Sequence, residues 1–235
     1  MTAARGAAGA LLIAVPLVFT AGFTGLQMTF DYPDILRHPA GEVLTRFAHA
    51  GADLHVYWYA MMVAAIGLIP ASVATGLTLW KNDSLLAGLS IAIGALAGLV
   101  QALGLIRWVM LVPVLAANYT APGATEIDKA MAVSLFDATN AYLGVGVGEH
   151  LGYLFTGVWT LLVSALLFGQ RRILAYTGIA LSFTVMAGML EPFGVPYSAD
   201  INAIGFSLWA LWALVLGVMM LMRGRAAISN QTQPA

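Results

Sequence analysis

Seven side chains stand out for the chemistry they could do: Asp53, His55, Arg107, Glu149, His150, Tyr153 and Glu191. Each lies in or beside a long apolar run. An ionised group at the centre of a membrane helix costs on the order of 3 kcal/mol, so it persists where it is paired, hydrated or used. Arg107 carries a planar fork that matches a carboxylate, and Glu149 and Glu191 are the acids expected to meet it. His150 with Glu149 or Glu191 offers an acid–base pair. A buried ion pair that fixes helix register is the structural reading of the same residues.

The histidines are His38, His49, His55 and His150. His55 and His150 are expected at similar depth on different helices, the minimum for bis-histidine haem ligation or, with Glu149 or Asp53, for a His/carboxylate metal site. The sequence has no His-Glu-x-x-His and no pair of ligands four apart on one span, so no cofactor is assigned. There is no cysteine, which excludes disulfides, thiolate metal sites and a thiol nucleophile. Ser72, Ser90, Ser164 and Ser182 have no histidine near them and no Gly-x-Ser-x-Gly elbow. The run Gly144-Val145-Gly146-Val147-Gly148 lacks the lysine and strand context of a phosphate loop. It reads as a packing surface.

The elements that must position these groups follow from composition. Of 235 residues, 60% are hydrophobic and 9% charged, whereas soluble domains run at roughly half apolar and a quarter charged. Too few charges remain to cover a water-soluble globule. The net charge of −1 excludes a nucleic-acid partner, which calls for a basic face. A spanning helix needs about 20 mostly apolar residues. Such stretches run from about Ala7 to Phe30, His55 to Trp80, Leu85 past Ile106 with a continuation to Ala117, Val147 to Gly169, Ile173 to Leu190, and Ile201 to Met222. The first is too long for a signal-peptide core and has no convincing cleavage site, so it is read as an uncleaved helix. The expected fold is all-α: a single membrane domain over residues 1–235 with six transmembrane helices.

Orientation is set by Lys and Arg in the short flanks. Arg5, Lys81, Arg171, Arg172, Arg223 and Arg225 fall on one side; Arg37, Arg46 and Lys129 fall on the other, with Arg107 near that end. This predicts cytoplasmic N and C termini. Among the acids only Asp83 falls inside, and the histidines all lie outside. Two long outer connections are expected, about 31–54 and 119–146. The first holds a short helix around Glu42 to Ala48. The second holds a helix capped by Thr125 with Asp128 three residues on, whose Ile127, Met131 and Leu135 repeat at helical spacing and predict packing on the membrane or the bundle.

Small residues let membrane helices approach closely. Ser90, Gly94, Gly98 and Ala102 form one stripe and Gly144, Gly148 and Gly152 another, which predicts that the third and fourth helices pair. Pro16, Pro70 and Pro113 each remove a backbone bond and can kink a helix, with structural accommodation as the default reading. Tyr57, Trp58, Tyr59, Trp80 and Trp108 read as interfacial aromatics.

The segments Asp31-Tyr32-Pro33-Asp34-Ile35-Leu36, Arg107-Trp108 with Leu111-Val112-Pro113, Gly148-Glu149-His150-Leu151-Gly152-Tyr153 and Leu190-Glu191-Pro192 resemble those of a bacterial multi-pass membrane family defined only as a domain of unknown function. The resemblance runs from about Asp31 to Arg223. It implies a six-helix chain in the bacterial cell (inner) membrane and supplies no activity, cofactor or catalytic residue.

The preferred reading is a non-enzymatic sensor, accessory or small-ligand-binding module with a polar pocket open to the outer face. Its partners would be the lipid bilayer, a small amphipathic ligand or another membrane subunit, and no nucleic acid. The alternatives are a membrane enzyme or redox protein with haem or metal at His55 and His150, and a small transporter. Matching broken helices in two halves, the mark of many transporters, are not evident.

Overall fold

Hydrocarbon offers a backbone no hydrogen-bonding partner, so a crossing segment satisfies its own amides as helix. The computed structural model, which describes residues 2–229, follows this rule: the described residues form helices and turns, with no strand. α1 is Thr2–Phe30, α2 Ala40–His49, α3 Ala52–Leu79, α4 Ser84–Met110, α5 Val112–Thr120, α6 Glu126–Thr139, α7 Gly152–Leu167, α8 Arg172–Met186 and α9 Ser198–Ser229. Three segments wind differently. Asp34–Arg37 and Ala187–Phe193 are 3-10 turns, and Asn140–Leu151 is a π-helical stretch.

Six rods are long and apolar enough to cross a membrane: Ala3–Phe30, Ala52–Leu79, Ser84–Thr120, Glu126–Leu167, Arg172–Phe193 and Ser198–Met222. The chain is therefore an all-α, multi-pass membrane bundle. The chain termini, expected in the cytoplasm, lie outside the described residues at Met1 and 230–235.

The fourth rod is longer than the sequence predicts. The connection expected over 119–146 reduces to a turn at 121–125. From Glu126 the chain is helical without a break to Leu167. Thr125 starts this rod with the expected capping box: its hydroxyl accepts from the Asp128 N–H at 3.2 Å, and its own N–H donates to Asp128 Oδ2 at 2.9 Å. No proline follows to stop the helix, so the glycine-rich stretch rewinds as π-helix instead of ending. α4 likewise runs into α5 with only Leu111 between them. Pro113 falls at the start of α5, where a missing N–H leaves no bond unmade. Pro16 and Pro70 stay inside α1 and α3. α2 extends the helix expected at 42–48 by a turn.

The apolar core has two parts. In one, Leu12, Leu68, Trp159, Val163, Trp212 and Leu216 join the membrane helices. In the other, at the end expected to face outward, Phe30, Ile35, Leu44, Phe47, Trp58, Trp108 and Phe136 fasten α2, α5 and α6 to the ends of α1, α3 and α4. This corrects the aromatic reading. Trp58 and Trp108 are not interfacial: they are 0% and 1% exposed and stack with ring centroids 4.4 Å apart and planes 2° off parallel. Phe47 of α2 and Phe136 of α6 cover that pair. Tyr59 and Trp80 do face outward. The apolar stripe of α6 does not pack on the bundle: Ile127, Met131 and Leu135 are exposed, and the helix packs through Ala132 and Phe136.

The third and fourth crossings pair as expected, through a partly different contact. Gly148 meets Gly104, so closely that a Cβ added at Gly104 would lie 2.5 Å from the Gly148 Cα. Gly98, expected to face the fourth crossing, packs on Ala65 and Ile69 of α3. Gly104→Ala should push α4 from the π stretch and lower stability by roughly 1–3 kcal/mol, as overpacking does. Gly146→Ala, whose Cβ would meet nothing nearer than 3.5 Å, should leave stability unchanged or raised. Thermal melts of the two variants in neutral detergent check the contrast.

Candidate functional site

Arg107 lies in the last turn of α4 and is 6% exposed. Gly144 makes room for it: a Cβ there would lie 2.5 Å from Nη2. Nη1 donates to the carbonyl oxygen of Gly104. Nη2 donates to Asn140 Oδ1 at 2.9 Å. Nε is buried without a partner. The guanidinium carbon stands 5.4 Å from the Trp108 ring centroid, within cation–π range.

The carboxylate partner expected for Arg107 is not there. Ion pairs of the described residues join Arg37 with Asp34, His38 with Glu42, Arg46 with Asp31 and Glu42, and Lys129 with Glu126. Neither Arg107, Glu149 nor Glu191 takes part in one. Neutral oxygens hold the guanidinium instead, which spares the bundle the desolvation of a second charge.

Tyr32 is delivered to the same region by a turn with Asp31 at φ 57° and a cis Tyr32–Pro33 bond. Its ring is edge-on to Phe23 at 5.4 Å and to Trp58 at 5.1 Å. Burial pushes its hydroxyl well above the usual phenol range; the charge of Glu149 adds to the rise and that of Arg107 opposes it. The phenol is thus a neutral donor within electrostatic reach of both.

The π stretch has two working faces. Gly144 and Gly148 face α4. Val145 and Glu149, one residue on in each case, face a cleft of about 200 Å³ that His150, Gly188, Glu191 and Pro192 complete. One wall of the cleft is the π stretch, and the other is the 3-10 continuation of α8. Glu149 and His150 are half-buried; Glu191 and Pro192 are exposed at the rim. The His150 ring is edge-on to Phe193 at 6.4 Å. Behind the cleft, Gly188 admits Tyr153 and Asn202: a Cβ there would lie 2.6 Å from Tyr153 Cε2 and from Asn202 Nδ2. Asn202 donates to the Val185 carbonyl at 2.5 Å, two residues before the winding of α8 changes.

The sequence-predicted set therefore divides. Glu149, His150 and Glu191 line one cleft, Tyr153 backs it, and Arg107 lies on the α4 side of the same stretch. Asp53 and His55 do not join them. Both are exposed in the first turn of α3, and the His55 ring is edge-on to Phe47 of α2 at 5.2 Å. His55 is thus placed against α2, whereas His150 is placed against the segment that follows α8. The two lie against different elements, because α3 packs on α1 and α4 while the cleft faces the end of α8. The described residues contain no group of three or more His, Asp or Glu able to hold a metal.

Three contributors were missed in the sequence. Asn140 carried a signal as a lone amide in an apolar run one turn before Gly144. Tyr32 lay in a quoted segment but is uncharged. Gly188 carried no signal. Asn140→Leu should leave the Arg107 guanidinium short of an acceptor and cost roughly 1.5–3 kcal/mol, the range for a bond to a charged group. Asn140→Asp, which keeps the acceptor, should melt near the parent. Arg107→Lys should not rescue, since a single ammonium cannot reach two acceptors as a planar fork does.

A family model described as Domain of unknown function (DUF4386) matches residues 7–224. The match takes in α1, which lies ahead of the segments that carried the resemblance. Neither a curated protein nor a solved structure matches the chain.

Proposed function

Since the chain belongs to the DUF4386 family, whose description assigns no activity, its function rests on its own site, and we propose that it is a non-enzymatic membrane module that binds a small amphipathic molecule by a compact cationic head, an amine or quaternary ammonium, in the outer cleft. One observation carries the reading. Glu149 and Glu191 face a single cleft from two different helices, and no cation of the described residues forms an ion pair with either. Arg107, the cation expected to meet them, is held by Gly104 and Asn140. Arg107 acts on Glu149 through its field alone, and a cationic ligand would give both carboxylates a direct partner.

Three further features support this. The walls are a π stretch and a 3-10 turn. Irregular winding at membrane depth is tolerated where it lines a cavity, and π segments concentrate at functional sites. The cleft, at about 200 Å³, suits a headgroup better than a drug-sized molecule, for which about 300–1,000 Å³ is usual. Counting from Leu167 at about 1.5 Å per residue, Glu149 stands roughly 27 Å up a hydrocarbon layer of about 30 Å. A ligand head there leaves its tail level with the lipid, beside the exposed Phe193 and Val195.

Such binding suits a sensor or an accessory subunit. Calorimetric titration of the purified protein in neutral detergent should show hexyltrimethylammonium binding and hexyl sulfate failing to bind. Glu149→Gln and Glu191→Gln should each weaken the ammonium roughly tenfold, about 1.4 kcal/mol. Equal binding of both probes, or indifference to both substitutions, sinks the proposal. Turnover of a lipid or quinone analogue that Glu149→Gln abolishes in a folded protein would make the chain an enzyme instead.

A further inference from the structure

At the opposite end of the bundle a second cavity, about 230 Å³, opens where several chain segments meet. α1 brings Arg5, the turn after α3 brings Lys81, and the turn between α7 and α8 brings Arg171. The two turns are clasped together. Asn82 donates to the Leu166 carbonyl at 2.8 Å, and Gln170 donates to Asn82 Oδ1 at 2.8 Å. That clasp sets Lys81 and Arg171 on one rim.

The charge here is of one sign. No acidic residue lines the cavity, and none of the three cations forms an ion pair among the described residues. Asp83, close by in sequence, is engaged elsewhere: its carboxylate caps α4 by accepting from the Leu86 N–H at 3.0 Å. Beneath the cations the floor is apolar, including Leu216 and Met220. Close by in sequence, Trp80, Leu85 and Ile173 are exposed at 45%, 71% and 83%, an apolar surface of the kind that suits a bilayer interface.

Three cations over an apolar floor, at the level where lipid headgroups lie, suit one ligand chemistry. A phosphate takes the charge, and an acyl chain takes the floor and the helix flank. Basic pockets between membrane helices hold anionic lipid headgroups in this way. We propose that Arg5, Lys81 and Arg171 bind the phosphate of an anionic phospholipid. The site is independent of the outer cleft and uses none of its residues.

Native mass spectrometry of the full chain in neutral detergent tests this, with phosphatidylglycerol and phosphatidylcholine of identical chains as probes and inorganic phosphate as the soluble competitor. Phosphatidylglycerol should be retained over phosphatidylcholine. Arg5→Gln, Lys81→Gln and Arg171→Gln should each weaken its retention roughly five-fold, the contribution of one basic residue at a lipid surface, and the triple variant should lose the preference. Lys81→Arg and Arg171→Lys should keep it, as should Arg172→Gln, whose side chain does not line the cavity. Equal retention of the two lipids by the unmutated protein overturns the proposal. So does a folded triple variant that keeps the preference. Displacement of the lipid by equimolar inorganic phosphate would show a free-anion site and overturn the lipid assignment. Because the lipid comparison and the phosphate competition use the unmutated chain, they decide the matter even where a glutamine variant fails to fold.

Discussion

Two backbones touch at Gly104 and Gly148, and the polar half of the bundle is arranged around that contact. Lipid tails are as apolar as the helices they surround, so helices associate in a membrane by close fit. With no side chain on either residue, α4 and the π stretch come near enough for Arg107 to lie over Gly144 and reach Asn140. The next residues along the stretch are then turned to the other side. Without the glycine contact Arg107 would need another burial, and Glu149 and His150 would lose the register that brings them to the cleft. The two faces of one helical stretch thus depend on a single distance.

The way the guanidinium is satisfied decides what remains for the cleft. A buried Arg–carboxylate pair consumes both charges, and desolvating the pair can offset much of its attraction. Here Arg107 bonds to a backbone carbonyl and an amide, and its face lies toward an indole. The acids stay uncommitted by any ion pair. The arrangement separates a structural charge from acids that are available, although the three lie close together. Between its two charged ends the bundle uses a quieter polarity. Ser72, Thr75, Thr156, Thr160 and Ser164 are fully buried between helices, and Thr160 accepts from the Trp209 indole at 2.7 Å. Small hydroxyls admit close packing there without the penalty of an ion.

How much of this the sequence reveals depends on the range of the physics. Six crossings are legible because the requirement is a length of apolar chain, a local property. Thr125 and Asp128 are legible as a cap for the same reason. The outer clustering of Arg107, Glu149, His150 and Glu191 follows from counting crossings. Which of them meet depends on rotation about each helix axis, and there the π stretch intervenes: a segment wound more widely than an α-helix shifts the direction of every later side chain. The pairing of Arg107 with a glutamate was therefore the natural expectation and the wrong one. Trp58 and Trp108 sit at helix ends, as interfacial aromatics do, and nothing local reveals that Phe47 and Phe136, 11 and 28 residues away in sequence, would cover them. His55 lies against Phe47 of α2 and His150 against Phe193 beyond α8, a difference that helix counting does not show.

The continuous rod from Glu126 to Leu167 has 42 residues, a length of roughly 60 Å at 1.5 Å per residue. The hydrocarbon layer accounts for about 30 Å of it and the headgroups for a further 5–8 Å. With Leu167 at one edge of the hydrocarbon and the rod upright, the turn at 121–125 would reach roughly 20 Å beyond the lipid surface. At physiological salt the Debye length is about 8 Å, so in that placement more than two screening lengths would separate the charges of Glu126, Asp128 and Lys129 from the charge of the bilayer. The tip would then be electrically deaf to the membrane that anchors it.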